Sequence, residues 1–343
     1  DLLDLIGATV AVDPITNAGT TTGTLTSQNV TSTSDKGQSY RVFYHGSSTK
    51  TVDKAALLIT ASDDSKTYGQ TAGLTGYTVL GLVDANGDSV WGVDLASAGA
   101  ASTADAGSYA ITASNASGNR LNNYDITYAD GTLTVDKAAL LITASDANKT
   151  YGETANLTGY SVSGLVDANG DSVLGVDLAS AGAASTADAG SYAITASNAS
   201  GNRLSNYDIS YTDGTLTVDK AALLVTASDD NKTYGDTANL TGYTFSGLVS
   251  ANGDSITGVD LASAGAASTA DAGSYAITAS NASGNRLSNY DITYADGTLT
   301  VDKAALLITA SDDSKTYGDT ANLTGYTFSG LVSANGDSIT GVD

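Results

Sequence analysis

The sequence predicts a mostly β protein built from tandem modules, and three observations lead to this class. First, the chain repeats itself at a period of 83 residues, since the phrase VDKAALL begins at Val52, Val135, Val218 and Val301. Second, several segments alternate apolar and polar residues with the period of two that is typical of half-buried strands. Third, β-branched residues, Gly and Asn interrupt nearly every window that could form an amphipathic helix. A strict repeat of this kind indicates an array of small units rather than a single catalytic body.

The period divides the sequence into three full modules and a fourth that stops midway. The full modules are assigned to residues 54–136, 137–219 and 220–302, and the truncated fourth to residues 303–343. Residues 1–53 do not repeat the module, and they predict the end of a preceding β domain, either a divergent module or a β-solenoid. The absence of an initial Met favours a fragment of a longer protein. The fourth module lacks segments that complete the others, so we expect it to be poorly ordered unless a neighbour covers it.

The strands of the first module can be predicted in chain order. Residues 56–61 (ALLITA) are mostly apolar without alternation, which favours a strand buried on both faces. Residues 108–114 (SYAITAS) alternate, so that one face carries the larger apolar side chains. Residues 124–128 and 132–135 flank an Ala-Asp-Gly turn and predict a β-hairpin, because Gly readily takes positive φ.

One short helix is predicted within GDSVWGVDLA. Asp88 or Ser89 would cap it, and Val90, Val93 and Leu95 would face inward. The position of Trp91 is expected at the surface, because the other copies carry Leu174, Thr257 and Thr340 there.

A mostly β module with one or two helical turns fits a β-grasp-like arrangement, and an immunoglobulin-like sandwich is the alternative. The segment from Val135 to Ile142 joins one module to the next without Gly, Pro or Ser. Such a segment does not behave as a flexible linker. We therefore expect the modules to stack into an elongated rod.

Composition excludes several classes of function. The net charge is −23, which disfavours nucleic acid as a partner. No apolar run approaches the ~18 residues of a membrane helix. The chain has no Cys, a single His (His45) and a single Glu (Glu153), so no Ser-His-Asp arrangement can recur in each copy. We expect no enzymatic activity and no cofactor, with calcium as the one candidate metal.

The calcium hypothesis rests on the phrase DANGDS, which places oxygen-bearing side chains at alternate positions. The candidate ligands are Asp84, Asn86 and Asp88 in the first copy and Asp167, Asn169 and Asp171 in the second. The third and fourth copies begin this phrase with Ser, and no Glu closes the loop as in an EF-hand. An Asn-Gly turn that joins two elements is the alternative interpretation.

A Tyr-Gly pair recurs in the phrase KTYG. The pairs are Tyr68-Gly69, Tyr151-Gly152, Tyr234-Gly235 and Tyr317-Gly318. Exposed tyrosines beside glycine could stack on sugar rings. We favour a structural role, with the ring in the core, the hydroxyl bonded to backbone and Gly in a conformation that other residues avoid.

Taken together, the KTYG phrase, the Gly-Leu before GDS, the AGSYAIT strand and the closing NYDITYADGTLTV resemble the YGX-type MBG repeats of large bacterial exoproteins. The resemblance covers roughly residues 52–343. It implies a stalk region of a bacterial cell-surface or secreted adhesin, similar to filamentous-haemagglutinin-type products of two-partner secretion. Such proteins act in attachment, aggregation or biofilm. The alternative is that the modules themselves bind polysaccharide or identical molecules and form an extracellular fibre.

Overall fold

The computed structural model describes residues 18–24 and 47–342, so His45 lies outside the described residues. The chain forms two compact units. The first unit consists of Asp1–Leu141, Val162–Gly175 and Ala199–Ser210. The second consists of Ile142–Ser161, Val176–Asn198 and Tyr211–Asp343.

Among the described residues up to the end of the first module, the elements are strands and two 3-10 turns. The strands are β1 (Gly19–Thr24), β2 (Ser47–Val52), β3 (Ala55–Ala61), β4 (Asp64–Thr67), β5 (Tyr77–Leu80), β6 (Ser89–Ala96), β7 (Gly107–Asn119), β8 (Tyr124–Ala129) and β9 (Gly131–Asp136). The 3-10 turns are Asp84–Asn86 and Leu121–Asn123.

Two sheets form the first module. In the three-stranded sheet, the central β3 pairs antiparallel with β5 and parallel with β8. In the four-stranded sheet the order is β4, β9, β7, β6, and only the β4–β9 pair is parallel. The structure therefore confirms the prediction of a mostly β module. The described residues contain no α-helix, and the two sheets share a core, as in the sandwich alternative.

The later copies repeat these elements. In the second copy they are β10 (Ala138–Ala144), β11 (Ala147–Thr150), β12 (Tyr160–Ser163), β13 (Ser172–Ala179), β14 (Gly190–Asn202), β15 (Tyr207–Thr212) and β16 (Gly214–Asp219), with 3-10 turns at Asp167–Asn169 and Leu204–Asn206. In the third they are β17 (Ala221–Ala227), β18 (Asp230–Thr233), β19 (Tyr243–Ser246), β20 (Ser255–Ala262), β21 (Gly273–Asn285), β22 (Tyr290–Ala295) and β23 (Gly297–Asp302), with 3-10 turns at Ser250–Asn252, Ala264–Ala266 and Leu287–Asn289. The fourth contributes β24 (Leu307–Ala310), β25 (Tyr326–Ser329) and a 3-10 turn at Ser333–Asn335.

The third module has the same two sheets as the first. β17 lies between β19 and β22, and the order of the larger sheet is β18, β23, β21, β20. In the fourth copy β24 pairs antiparallel with β25.

In the first and third modules the core lies between the two sheets. In the first module Leu57 and Ile59 of β3 pack with Tyr124 of β8, and Ala61 packs with Ile111 of β7. Tyr109, Ile111 and Ala113 are less exposed than the residues between them, which confirms the predicted alternation of β7.

The predicted hairpin at residues 124–135 is wrong. β8 pairs with β3 in one sheet, whereas β9 pairs with β7 and β4 in the other, so the chain crosses between sheets at Asp130. Gly131 is required by a close approach rather than by a turn, because a Cβ there would lie 2.5 Å from the Ala61 carbonyl oxygen. The sequence of the turn does not indicate that the strands before and after it belong to different sheets.

The predicted helix within GDSVWGVDLA is also wrong, because this segment is strand β6. Its pairing with β7 shifts register around Gly92. This irregularity brings Val90 and Val93 to the same core, and it produces the three-residue spacing that imitates a helix. Trp91 is 68% exposed, which confirms its predicted place at the surface.

The prediction that β3 is buried on both faces is wrong too. Leu57, Ile59 and Ala61 are buried, but Leu58 between them is 36% exposed. The reason is that β3 belongs to a three-stranded sheet which packs on one face only. Its leucine on the outer face therefore remains partly in contact with solvent.

The fourth copy shows what the missing strands contribute. Leu306 is 45% exposed, although its equivalent Leu223 is fully buried. In the complete copy, β22 pairs with β17, the strand that contains Leu223, and β21 packs against it. Residues 303–342 contain no equivalent of either strand, so Leu306 is not covered within the described residues.

Candidate functional site: the module junctions

The first two modules meet inside the first unit. β9 of the first module ends at Asp136 and β10 of the second begins at Ala138, so one residue, Lys137, separates two strands. β4 runs parallel to β9, and the Tyr68 amide after β4 donates to the Asp136 carbonyl oxygen at 2.8 Å. This pairing places Tyr68 and Gly69 at the end of the first module that faces the second. We call this pair and its equivalents the Tyr-Gly turn.

A buried lysine holds the Tyr-Gly turn against the loop that contains Ala101. Lys66 is 6% exposed, and its ammonium donates to the carbonyl oxygens of Gln70, at 2.8 Å, and of Ala101. Burial lowers the pKa of Lys66. The lysine of the KTYG phrase therefore acts as a bridge between two backbone segments rather than as a surface charge.

The second module presents a docking face, which we define as Val166, Asp171, Arg203 and Asn206. Asp171 is buried, and its two oxygens accept from tyrosines of both modules. The Tyr68 hydroxyl donates to Oδ1 at 3.1 Å, and the Tyr207 hydroxyl donates to Oδ2 at 2.5 Å. The Val166 amide in turn donates to the Tyr207 hydroxyl at 2.9 Å. One carboxylate thus binds the first module to the second.

Aromatic and cationic contacts add to this junction. The rings of Tyr68 and Tyr207 meet edge to face, with centroids 5.5 Å apart and planes at 77°. The Arg203 guanidinium lies 5.6 Å from the centroid of the Tyr68 ring. Both geometries are favourable for aromatic and cation–π interactions.

Arg203 also reaches a loop of the first module. Its Nη2 donates to Asp105 Oδ1 at 2.6 Å and to the Thr103 carbonyl oxygen at 2.6 Å. Arg203 has φ of 60°, a left-handed conformation that is uncommon for residues other than Gly. The bonds of its side chain to another module are a physical reason for retaining this conformation.

Asn206 completes the docking face with two bonds to the same loop. Its Nδ2 donates to Asp105 Oδ1 at 2.9 Å, and its Oδ1 accepts from the Ala106 amide at 2.8 Å. The hydrogen bonds that Asn206 Nδ2 and Arg203 donate to the Asp105 carboxylate lower the pKa of Asp105, and the one from Asn206 has the largest effect. The loop at residues 103–106 of the first module is therefore held to the second module by an ion pair and by hydrogen bonds.

Gly69 allows the two modules to approach closely. Its φ is +89°, and a Cβ at this position would lie 2.8 Å from Cγ2 of Val166. An added methyl group would meet both backbone strain and a steric clash. The glycine of the Tyr-Gly turn is thus explained by the neighbouring module.

The second unit contains the same junction between the second and third modules. The Tyr151 hydroxyl donates to Asp254 at 3.0 Å, and Asp254 also accepts from Tyr290. Arg286 donates to Asp188, and Asn289 accepts from the Ala189 amide at 2.8 Å. The third module also contacts the fourth copy, since Tyr234 donates to Asp337 at 3.1 Å.

We expect alkaline pH to weaken the junctions. Burial and the bond to Asp171 raise the pKa of Tyr207 to about 12 from an ordinary value of 10.0. Folding therefore favours the protonated phenol. The contribution of Tyr207 to the free energy of unfolding is constant below pH 10 and falls as the pH rises from about 10 to about 12. The loss is on the order of 2 kcal/mol for this tyrosine. Urea unfolding from pH 8 to pH 12 measures it, and Tyr207→Phe should flatten the decline. An equal decline in that variant would contradict the assignment.

The tyrosines of the KTYG phrases have two kinds of surroundings, a buried junction or solvent. Tyr68 and Tyr151 are buried in junctions, and their hydroxyls donate to side chains of the next module rather than to backbone. Tyr317 is fully exposed in the incomplete copy. The structural role of the Tyr-Gly pairs stays a prediction that these contacts favour.

The calcium candidates differ in exposure and in their hydrogen-bond partners. Asp84 and Asp167 are exposed on 3-10 turns, whereas Asp88 and Asp171 are buried against tyrosine hydroxyls. Asn169 donates its amide to the Ser102 carbonyl oxygen at 3.0 Å, and Asn86 is exposed. Within residues 18–24 and 47–342, no three His, Cys, Asp or Glu side chains form a group that could hold a metal ion.

The sequence interpretation missed most of the docking face. Val166, Arg203 and Asn206 of the docking face, and Asp105 of the first module, were assigned no role, since each is about 100 residues from its partners and belongs to no local motif. A signal did exist, because each recurs unchanged at the equivalent position of the next module, as Val249, Arg286, Asn289 and Asp188.

Comparison with known proteins accounts for the repeat. A family model described as the MBG domain, YGX type, matches residues 57–134, 140–217 and 223–300. The chain belongs to the MBG domain family. The three matches fall on the three complete modules, and the Tyr-Gly turn of each MBG module contributes to a junction.

Other comparisons add little to this assignment. No curated protein matches the chain. The crystal structure of Drosophila N-cadherin EC1-4 is similar at 9% identity, covering 78% of this chain and 81% of that chain, with a TM-score of 0.23. A likeness at this level carries no argument about fold or function.

The family assignment sets the general class of the protein. MBG repeats are a structural, non-enzymatic domain type, and they typically occur in extracellular proteins. Among the described residues, no helix has both the length and the apolar character needed to cross a membrane. The tandem MBG modules are consistent with a repetitive extracellular region.

Proposed function

We propose that the MBG modules are the spacer of a bacterial surface or secreted adhesin, and that they contribute distance and order between other parts of that protein. In this role the modules carry no catalytic activity, and attachment, aggregation or biofilm formation depends on the protein that they extend. The junctions are the observation that supports the proposal. The two junctions between the three complete modules fix one module to the next through a buried carboxylate, Asp171 or Asp254, which suits a spacer better than a flexible tether.

A second observation supports the proposal, since the two junctions are built from the same residue types. The residues that meet between the first and second modules are of the same types as those between the second and third: Tyr68 and Tyr151, Asp171 and Asp254, Arg203 and Arg286. Any module can therefore follow any other without loss of contacts. A spacer whose length varies by whole modules requires this property.

Deletion of one full period tests the proposal. Removing residues 137–219 joins Asp136 to Lys220 and brings Tyr68 against Asp254, so that the junction is rebuilt from the same residue types. The shortened chain should unfold with unchanged cooperativity. Small-angle scattering should show a smaller maximum dimension. Neither chain should associate with itself in sedimentation or bind cellulose or dextran.

The alternative, modules that bind polysaccharide or each other, gives a different result. A multivalent binder loses avidity steeply when one binding unit is deleted. If the intact chain binds either polysaccharide or associates with itself, and the deletion weakens this by tenfold or more, the modules are the working surface and the spacer proposal is wrong.

A further inference from the structure

We propose that β1 and β2 are the closing end of a further, divergent MBG module, docked on the first module through the same face that joins the other modules. The occupant of this face is residues 18–24 and 47–52 of the same chain. The face consists of Val83, Asp88, Arg120 and Asn123, the equivalents of Val166, Asp171, Arg203 and Asn206. This inference rests on contacts within the first unit and holds whether or not the array is a spacer.

The first observation is a hydrogen bond that the other junctions share. The Ala18 amide donates to Asn123 Oδ1 at 2.7 Å. At the next junction the Ala106 amide donates to Asn206 Oδ1 at 2.8 Å. In both cases the alanine precedes the glycine that begins a strand, Gly19 or Gly107. An alanine followed by a glycine thus meets an asparagine of the following module in the same way.

The second observation is the register of the strands. Gly19 pairs with Val52 in an antiparallel ladder, as Gly107 pairs with Val135. Gly19 and Gly107 also share a φ of 156°. Val52 and Val135 are 83 residues apart and lead into the same VDK phrase. β1 and β2 therefore occupy the places of β7 and β9 in a complete module.

The third observation shows that this docking is incomplete in the described part of the chain. Asp88 Oδ1 is buried and accepts no hydrogen bond there, whereas Asp171 Oδ1 accepts from Tyr68. Arg120 Nε lies 4.0 Å from Asp88 Oδ1, and the Arg120 side chain is 43% exposed against 28% for Arg203. Among the described residues, this docking shares the asparagine bond with the later junctions, whereas no tyrosine hydroxyl donates to Asp88 Oδ1.

Hydrogen exchange of the full chain tests the docking. An isolated pair of strands is marginally stable in water, so β1 and β2 depend on their contact with the first module for protection. Asn123→Ala removes the acceptor for the Ala18 amide, and exchange at residues 18–24 should become about fivefold faster. Asn123→Asp keeps an acceptor oxygen, and exchange there should stay near that of the original chain.

Asn206→Ala is the matched control, because it removes the same bond one module later. It should speed exchange at residues 106–112 and leave residues 18–24 unchanged. Protection of residues 18–24 that survives Asn123→Ala, or that falls equally in Asn123→Asp, would overturn the proposal. If Asn123→Ala also speeds exchange in β3, the first module itself has opened. The comparison of Asn123→Asp with the original chain then tests the docking.

Discussion

Replacing Asp171 by Ala should destabilise the second module by about 3 kcal/mol, since it removes the acceptor of two buried tyrosine hydroxyls. The Arg203 guanidinium also loses a carboxylate at 3.7 Å. Urea unfolding, analysed as an array of coupled modules, measures the loss.

Asp88→Ala is the matched control for Asp171→Ala. Asp88 accepts from Tyr124 at 2.6 Å, but its other oxygen has no hydrogen-bond partner among the described residues. The expected cost is about 1 kcal/mol, because only one bond is lost and an unsatisfied buried oxygen is removed. Equal costs at Asp88 and Asp171 would mean that the bond across the junction contributes nothing to stability.

Replacing Gly69 by Ala should destabilise the first junction by about 2–3 kcal/mol. The new methyl group would be placed in a left-handed conformation and 2.8 Å from Cγ2 of Val166. Urea unfolding measures the total cost. The double variant with Val166→Ala should recover part of it, since the clash is then relieved.

Gly318→Ala separates backbone strain from the clash. Gly318 has φ of +94°, close to the value at Gly69, but a Cβ there would meet no atom within 4 Å. It should therefore cost only the strain, about 1 kcal/mol. A cost at Gly69 that is no larger than at Gly318 would contradict the close approach of the two modules.

The sequence predicted the repeat and the strands well, because both depend on local patterns. Tyr109, Ile111 and Ala113 alternate with polar residues, and the structure places them on the inner face of β7. The errors arose where pairing partners are distant. The sequence around Gly131 looks like a hairpin turn, yet its strands join different sheets.

The junction could be predicted only in part. Periodicity drew attention to the Tyr-Gly turn and, through the calcium hypothesis, to Asp171. It could not show that they meet, since they are 103 residues apart and belong to different modules. A contact between modules leaves no spacing signal within one period. Only the recurrence of Arg203 and Asn206 in the next copy could have indicated a shared interface.

A double-mutant cycle between Tyr68 and Asp171 tests the central claim, that a specific bond couples successive modules. The cycle compares Tyr68→Phe, Asp171→Ala and the double variant by urea unfolding, with Tyr317→Phe in place of Tyr68→Phe as the control. We expect a coupling energy of about 1–2 kcal/mol for Tyr68 with Asp171 and none for Tyr317 with Asp171. Additive effects of Tyr68→Phe and Asp171→Ala would contradict the claim.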